Sequence, residues 1–76
     1  MSVDPARLTP EIWLAQLFAA REAAEGGVVR RKLADVDHLV GRARFLAEVR
    51  RRGFTVAQNA GYAVVFCNGS PVTPLR

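Results

Sequence analysis

The apolar residues between Leu33 and Gly53, in the stretch LADVDHLVGRARFLAEVRRRG, change phase part-way along. That change constrains the fold more than any other feature of the chain. On a helical wheel at about 100° per residue, Val36, Leu39 and Val40 share one face. Phe45, Leu46 and Val49 share another, rotated from the first by roughly 130°. One straight helix cannot bury both sets against the same core. Gly41 stands where the phase changes. Glycine accepts backbone angles that other residues resist, and it weakens a helix interior by about 1 kcal/mol relative to alanine. The pattern therefore predicts a helix pair, one short from about Asp35 to Val40 and one longer from about Arg42 to Arg52. Gly53 would end the second helix, and Arg50, Arg51 and Arg52 suit the negative end of its dipole. The alternative is one continuous helix over 35–52, apolar on both sides and held between two partners.

Upstream, Thr9-Pro10-Glu11 is a helix-start signal. Thr9 can cap, Pro10 suits the first helical position, and Glu11 favours the positive end. The helix is expected from Pro10 to about Glu25, with a core stripe of Trp13, Leu17, Ala20 and Ala24 flanked by Leu14 and Phe18. Trp13 reads as a core anchor because it is in register with that stripe. Gly26-Gly27 ends the helix. Residues 1–9 form a lead-in, in which Asp4-Pro5 could start a single turn through Leu8. Val28-Val29 followed by Arg30-Arg31-Lys32 reads as a short strand or extended linker.

Downstream of Gly53 the period falls from 3.6 to 2. Phe54 and Val56, then Tyr62, Val64 and Phe66, alternate with Thr55, Ala57, Ala63, Val65 and Cys67. Gln58-Asn59-Ala60-Gly61 lies between, rich in turn residues. The pattern predicts a hairpin with strands at about 54–58 and 62–67. Its second strand is apolar on both faces, which suits a central position in a three-stranded sheet with Val28-Val29. Val64 and Phe66 are expected in the core, and Phe66→Ala would then cost on the order of 3–5 kcal/mol. Asn68-Gly69-Ser70-Pro71 ends the strand, and residues 70–76 are expected to be an extended, mobile and dispensable tail. The expectation is one small α+β domain over 10–69: N-terminal helix, short strand, helix pair or one long helix, C-terminal β-hairpin.

Charge is segregated along this layout. The net is +4 overall, with −2 over residues 1–25 and +5 over residues 30–52. A basic centre beside an acidic first helix is what a nucleic-acid face requires, although a solvated surface would look the same. Ten of the eleven basic residues are arginine, Lys32 being the exception, and that bias can be a matter of codon usage. Enzymatic chemistry finds little support. His38 is the one histidine and Cys67 the one cysteine, the latter in an apolar strand where an inert thiol is expected. Asp35, Asp37 and His38 cluster, but a helix start explains the aspartates and a fourth metal ligand is lacking. No glycine-rich phosphate loop is present, and a domain this small has little room for a deep pocket. No cofactor, metal or small-molecule substrate is expected. A single cysteine, no membrane-length apolar run and no basic-then-apolar leader make a cytoplasmic protein the default. A homodimer is an open option, because a chain this short is marginal alone.

Helix, short strand, short helix, turn, basic helix and hairpin, in that order, resemble a winged helix-turn-helix DNA-binding domain. Leu33-Ala34 opening the helix pair, Gly41 at the turn, Phe45, Leu46 and Val49 in the second helix, and Gly53 before the hairpin carry the resemblance. Gly61-Tyr62 is similar to the glycine-aromatic step of many wings. The resemblance covers about residues 10–67. The spacing from Leu33-Ala34 to Gly53 is a couple of residues shorter than usual, so the turn must be tight or the first helix of the pair very short. The resemblance implies a regulatory role, with the helix Arg42–Arg52 in the DNA major groove and the hairpin on backbone or minor groove. Arg42 and Arg44 would be the base readers. Arg30, Arg31, Lys32, Arg50, Arg51 and Arg52 would contact phosphate. Gln58 and Asn59 would add polar contacts at the wing tip.

Two other classes fit the same residues. One is a protein-interaction adaptor or small regulator whose basic face meets an acidic partner. The other is an RNA-binding sheet, for which Tyr62 and Phe66 are the available aromatics, at least one of them expected to be buried.

Overall fold

A computed structural model describes residues 9–75; the turn expected over Asp4–Leu8 lies outside them. Seven elements follow in order: α1 (Pro10–Ala19), α2 (Arg21–Ala24), β1 (Val28–Lys32), α3 (Leu33–Leu39), α4 (Arg42–Arg51), β2 (Thr55–Asn59) and β3 (Tyr62–Phe66). The architecture is α+β, with the helices packed on one face of a three-stranded antiparallel sheet of order β1-β3-β2.

The first helix starts as its signals predict. The Thr9 hydroxyl accepts a hydrogen bond from the Ile12 N–H at 3.2 Å, with Pro10 in the first turn. It does not run to Glu25. Ala20 adopts φ −58°, ψ 147°, and α2 sets off in a new direction. The break moves the buried stripe from Ala24, which is exposed, to Ala23, which joins the core. Nothing local demands it, since alanine is the best helix former. Tertiary packing of the second segment decides. The Gly26 N–H then bonds the Ala23 carbonyl and the Gly27 N–H bonds the Glu22 carbonyl at 2.7 Å. A Cβ on Gly27 would stand 3.0 Å from that Glu22 oxygen, so the turn needs glycine there.

The helix pair forms, and the continuous-helix alternative is excluded by the backbone of Gly41. Its φ of 96° and ψ of 135° belong to glycine almost alone, and it caps the start of α4. α3 begins two residues earlier than expected, at Leu33, directly from β1. A seven-residue α3 and the Val40-Gly41 junction are how the short spacing is accommodated. The helix pair brings Val36 and Phe45 with Val49 into one core despite their different wheel angles. Trp13 meets Phe45 edge-on, with ring centroids 6.3 Å apart. At the far end of α4, Gly53 donates to the Arg50 carbonyl and Phe54 to the Val49 carbonyl, closing the helix.

The hairpin turns through Ala60-Gly61, with Asn59 paired to Tyr62. Both turn residues have positive φ, 50° and 81°. The turn is tied to the helix pair, because the Leu33 N–H donates to the Gly61 carbonyl at 2.9 Å. β3 is central, as its two apolar faces predict. Its core face is the opposite of the one expected. Ala63, Val65 and Cys67 are buried, whereas Val64 and Phe66 are half-buried on the face away from the helices. Residues directly across an antiparallel pair share a face. The outer face therefore has three rows: Val28, Phe66, Thr55; Arg30, Val64, Ala57; and Lys32, Tyr62, Asn59. Tyr62 and Phe66 both belong to it, so neither is in the core. After β3, the Asn68 side-chain amide donates to the Gly26 carbonyl at 3.2 Å, and residues 70–75 are exposed without regular structure.

Candidate nucleic-acid interface

α4 buries Phe45 and Val49 and turns the rest of its length outward. Its exposed residues are Arg42, Ala43, Arg44, Leu46, Ala47, Arg50 and Arg51. Ala43 and Ala47 lie along the middle of that face, with arginines on both flanks and at the last turn. Small residues at the centre let a helix backbone come close to a partner.

The arginines are not equivalent. Arg42 makes a two-pronged bond to Asp37 of α3, Nε to Oδ1 at 3.0 Å and Nη2 to Oδ2 at 2.9 Å. The pair brackets Gly41 and ties the two helices together, and the Asp37 carboxylate raises the Arg42 pKa. Arg44 bonds Glu11 of α1, and this hydrogen bond holds the Glu11 carboxyl below its ordinary value. Both pairs remain about half exposed, so each contributes little to stability and exchanges readily. Arg51 and Arg52 share Glu48, whose pKa their hydrogen bonds lower to about 2. Arg52 also stacks its guanidinium over Phe18, 4.2 Å from the ring centroid. Among the described residues, Arg50 makes no ion pair. Of the three consecutive arginines, Arg51 and Arg52 thus converge on one carboxylate and Arg50 stands apart from them.

The other sequence candidates lie elsewhere. Arg30 and Lys32 belong to the outer sheet face, away from α4. Arg30 stacks over Tyr62 at 4.6 Å. Arg31 has the opposite parity, and its Nη1 donates to the Arg30 carbonyl. Gln58 and Asn59 are exposed beside the hairpin turn. Because Leu33 tethers that turn, the hairpin does not project beyond the sheet as a free wing. The structure thus divides the basic residues into an α4 set and a β1 set on different faces.

Sequence reasoning missed the carboxylates. Asp37 and Arg42 are five residues apart across a helix break and become legible once the break is accepted. Glu11 and Arg44 are separated by 33 residues, and no local pattern links them. Shallow grooves of about 200 Å³ flank α4, one against α1 between Glu11, Leu14 and Arg44, the other against β2 between Leu46, Phe54 and Val56. The Cys67 thiol is buried and its pKa raised by that burial, while His38 is exposed on α3. Among the described residues no helix is long and apolar enough to cross a membrane.

No family model, curated protein or solved structure matches this chain.

Proposed function

We propose that this chain is a small duplex-DNA-binding domain with a regulatory role, sharing the element order of winged helix-turn-helix domains but not a projecting wing, and that α4 is the element that meets the duplex. The observation that carries the reading is the outward face of α4. Its seven exposed residues include four arginines, two alanines and no carboxylate. A helix of that make-up fits a major groove, where small residues allow approach and arginine can bond guanine in bidentate fashion. Arg42 and Arg44 lie in the first turn of α4, where base reading is expected. Their half-exposed carboxylate partners orient them in the free protein and give way to DNA at little cost. Arg50 and Arg51 supply phosphate contacts.

Fluorescence anisotropy with a random duplex at two salt concentrations tests this. Binding should weaken with salt by a slope of about −0.9 per phosphate contact, and Arg50→Ala with Arg51→Ala should weaken binding to all sequences alike. Arg42→Ala or Arg44→Ala should cost roughly 1–3 kcal/mol, mainly on a preferred sequence. Absence of affinity at about 50 mM salt, where nonspecific binding is strong, overturns the reading.

One observation favours a second reading. Arg42 and Arg44 already hold carboxylates, which suits an adaptor whose α4 grips an acidic protein segment. Such a partner would occupy α4 in place of a duplex.

A further inference from the structure

The outer face of the sheet carries chemistry that the α4 reading does not use. None of its nine positions is a carboxylate. Its strands sort the side chains into columns. β1 contributes the cations Arg30 and Lys32, both exposed and, among the described residues, outside any ion pair. β3 contributes two rings, Tyr62 and Phe66. They are four residues apart on one face, hence about 13 Å from each other. β2 contributes hydrogen-bonding groups beside those rings, Asn59 across from Tyr62 and Thr55 across from Phe66. The guanidinium of Arg30 already lies over the Tyr62 ring at 4.6 Å, so a flat group is accepted there.

We propose that this face binds a single strand of nucleic acid, with phosphates along the β1 cations and bases stacked on Tyr62 and Phe66. Charge selects the occupant. A second copy of the same face would add two more cations and bring no carboxylate to answer either pair. An anionic strand meets only cations and neutral groups. Stacking on aromatic or guanidinium planes tolerates any base, because every base has a π-face. Asn59 and Thr55 can reach base edges. An acidic peptide would use the cations and leave the rings without a matched partner. The surface is separate from α4, and the proposal stands whether or not α4 binds a duplex.

Tyr62 is the one tyrosine of the chain, which gives the face its own probe. The full-length protein labelled with 3-fluorotyrosine should show a single fluorine signal, titrated with oligouridylate and oligothymidylate of about 12 nucleotides. The signal should shift and saturate with one or both, and the pair distinguishes RNA from DNA as the source. Arg30→Gln with Lys32→Gln should weaken that binding at least tenfold and reduce the salt slope by about 0.7 for each phosphate no longer neutralised. The same double variant should leave duplex binding unchanged, and Arg50→Ala with Arg51→Ala should leave oligonucleotide binding unchanged. Three results overturn the proposal: no binding of either oligonucleotide, binding that leaves the fluorine signal unmoved, or a signal moved by polyglutamate and by neither oligonucleotide. The last assigns the face to an acidic protein partner.

Discussion

Ala63 and Val65 of β3, with Cys67 just after it, face the helices, while Tyr62, Val64 and Phe66 face away. Both sets are apolar, and the bulkier one is outside. Burial of apolar area alone would favour the reverse. Volume explains the choice. The helices already place Phe45, Leu17 and Val36 fully buried in the one core that also holds Ala63 and Val65. Small β3 side chains let those groups approach, and interiors are close-packed, so one large side must be met by a small one. The lesson is that alternation in a strand gives the period and leaves the sign to whatever packs on it.

The comparison can be broken most forcefully at Ala63. It is 1% exposed, so Ala63→Phe has no space to fill and should cost about 3 kcal/mol or more, enough to remove much of the stability of a small domain. Urea unfolding measures it, and a tolerated phenylalanine would mean that the inner face is loosely packed. A gentler version truncates one residue on each side. Val65→Ala should cost about 2 kcal/mol, adding a cavity to the lost methyl groups, and Phe66→Ala only about 1 kcal/mol. If Phe66→Ala costs more than Val65→Ala, the outer face is covered and the contrast fails. The smallest effect comes from acid. The Glu48 pKa is lowered to about 2 from 4.5, so its contribution is present above pH 4.5 and fades as pH falls towards 2. Glu48→Gln should remove part of that acid sensitivity. Urea unfolding followed by Trp13 fluorescence at about pH 7 and about pH 3 measures it, and an unchanged pH dependence in the variant would mean that the Glu48 pair contributes nothing.

Much of the fold was legible because its signals are local. Thr9-Pro10, the phase change at Gly41, Gly53 and the turn cluster each act within a few residues, and the elements begin and end near them. The break at Ala20 was not legible, because the cause is where Ala23 packs. The sign of β3 was hidden for the same reason. Of the candidate interface, the clustering of charge could be read directly. Its division could not: the parity of Arg30 and Lys32 follows from pairing with β3, more than 25 residues away in sequence. The partners of Arg42 and Arg44 likewise come from α3 and α1, and only the folded chain brings them within reach.

The place of β3 between β1 and β2 bears on how the chain is born. Translation delivers Val28–Lys32 long before Tyr62–Phe66, and β1 pairs with β3 alone. Until the ribosome has released β3, β1 has no ladder to join, and Leu33 lacks the Gly61 carbonyl that anchors α3. Closing so long a loop is entropically slow, and no smaller sheet can form first that includes β1. The nascent chain therefore waits, its valines and arginines exposed together, and the sheet assembles only when its middle strand arrives last.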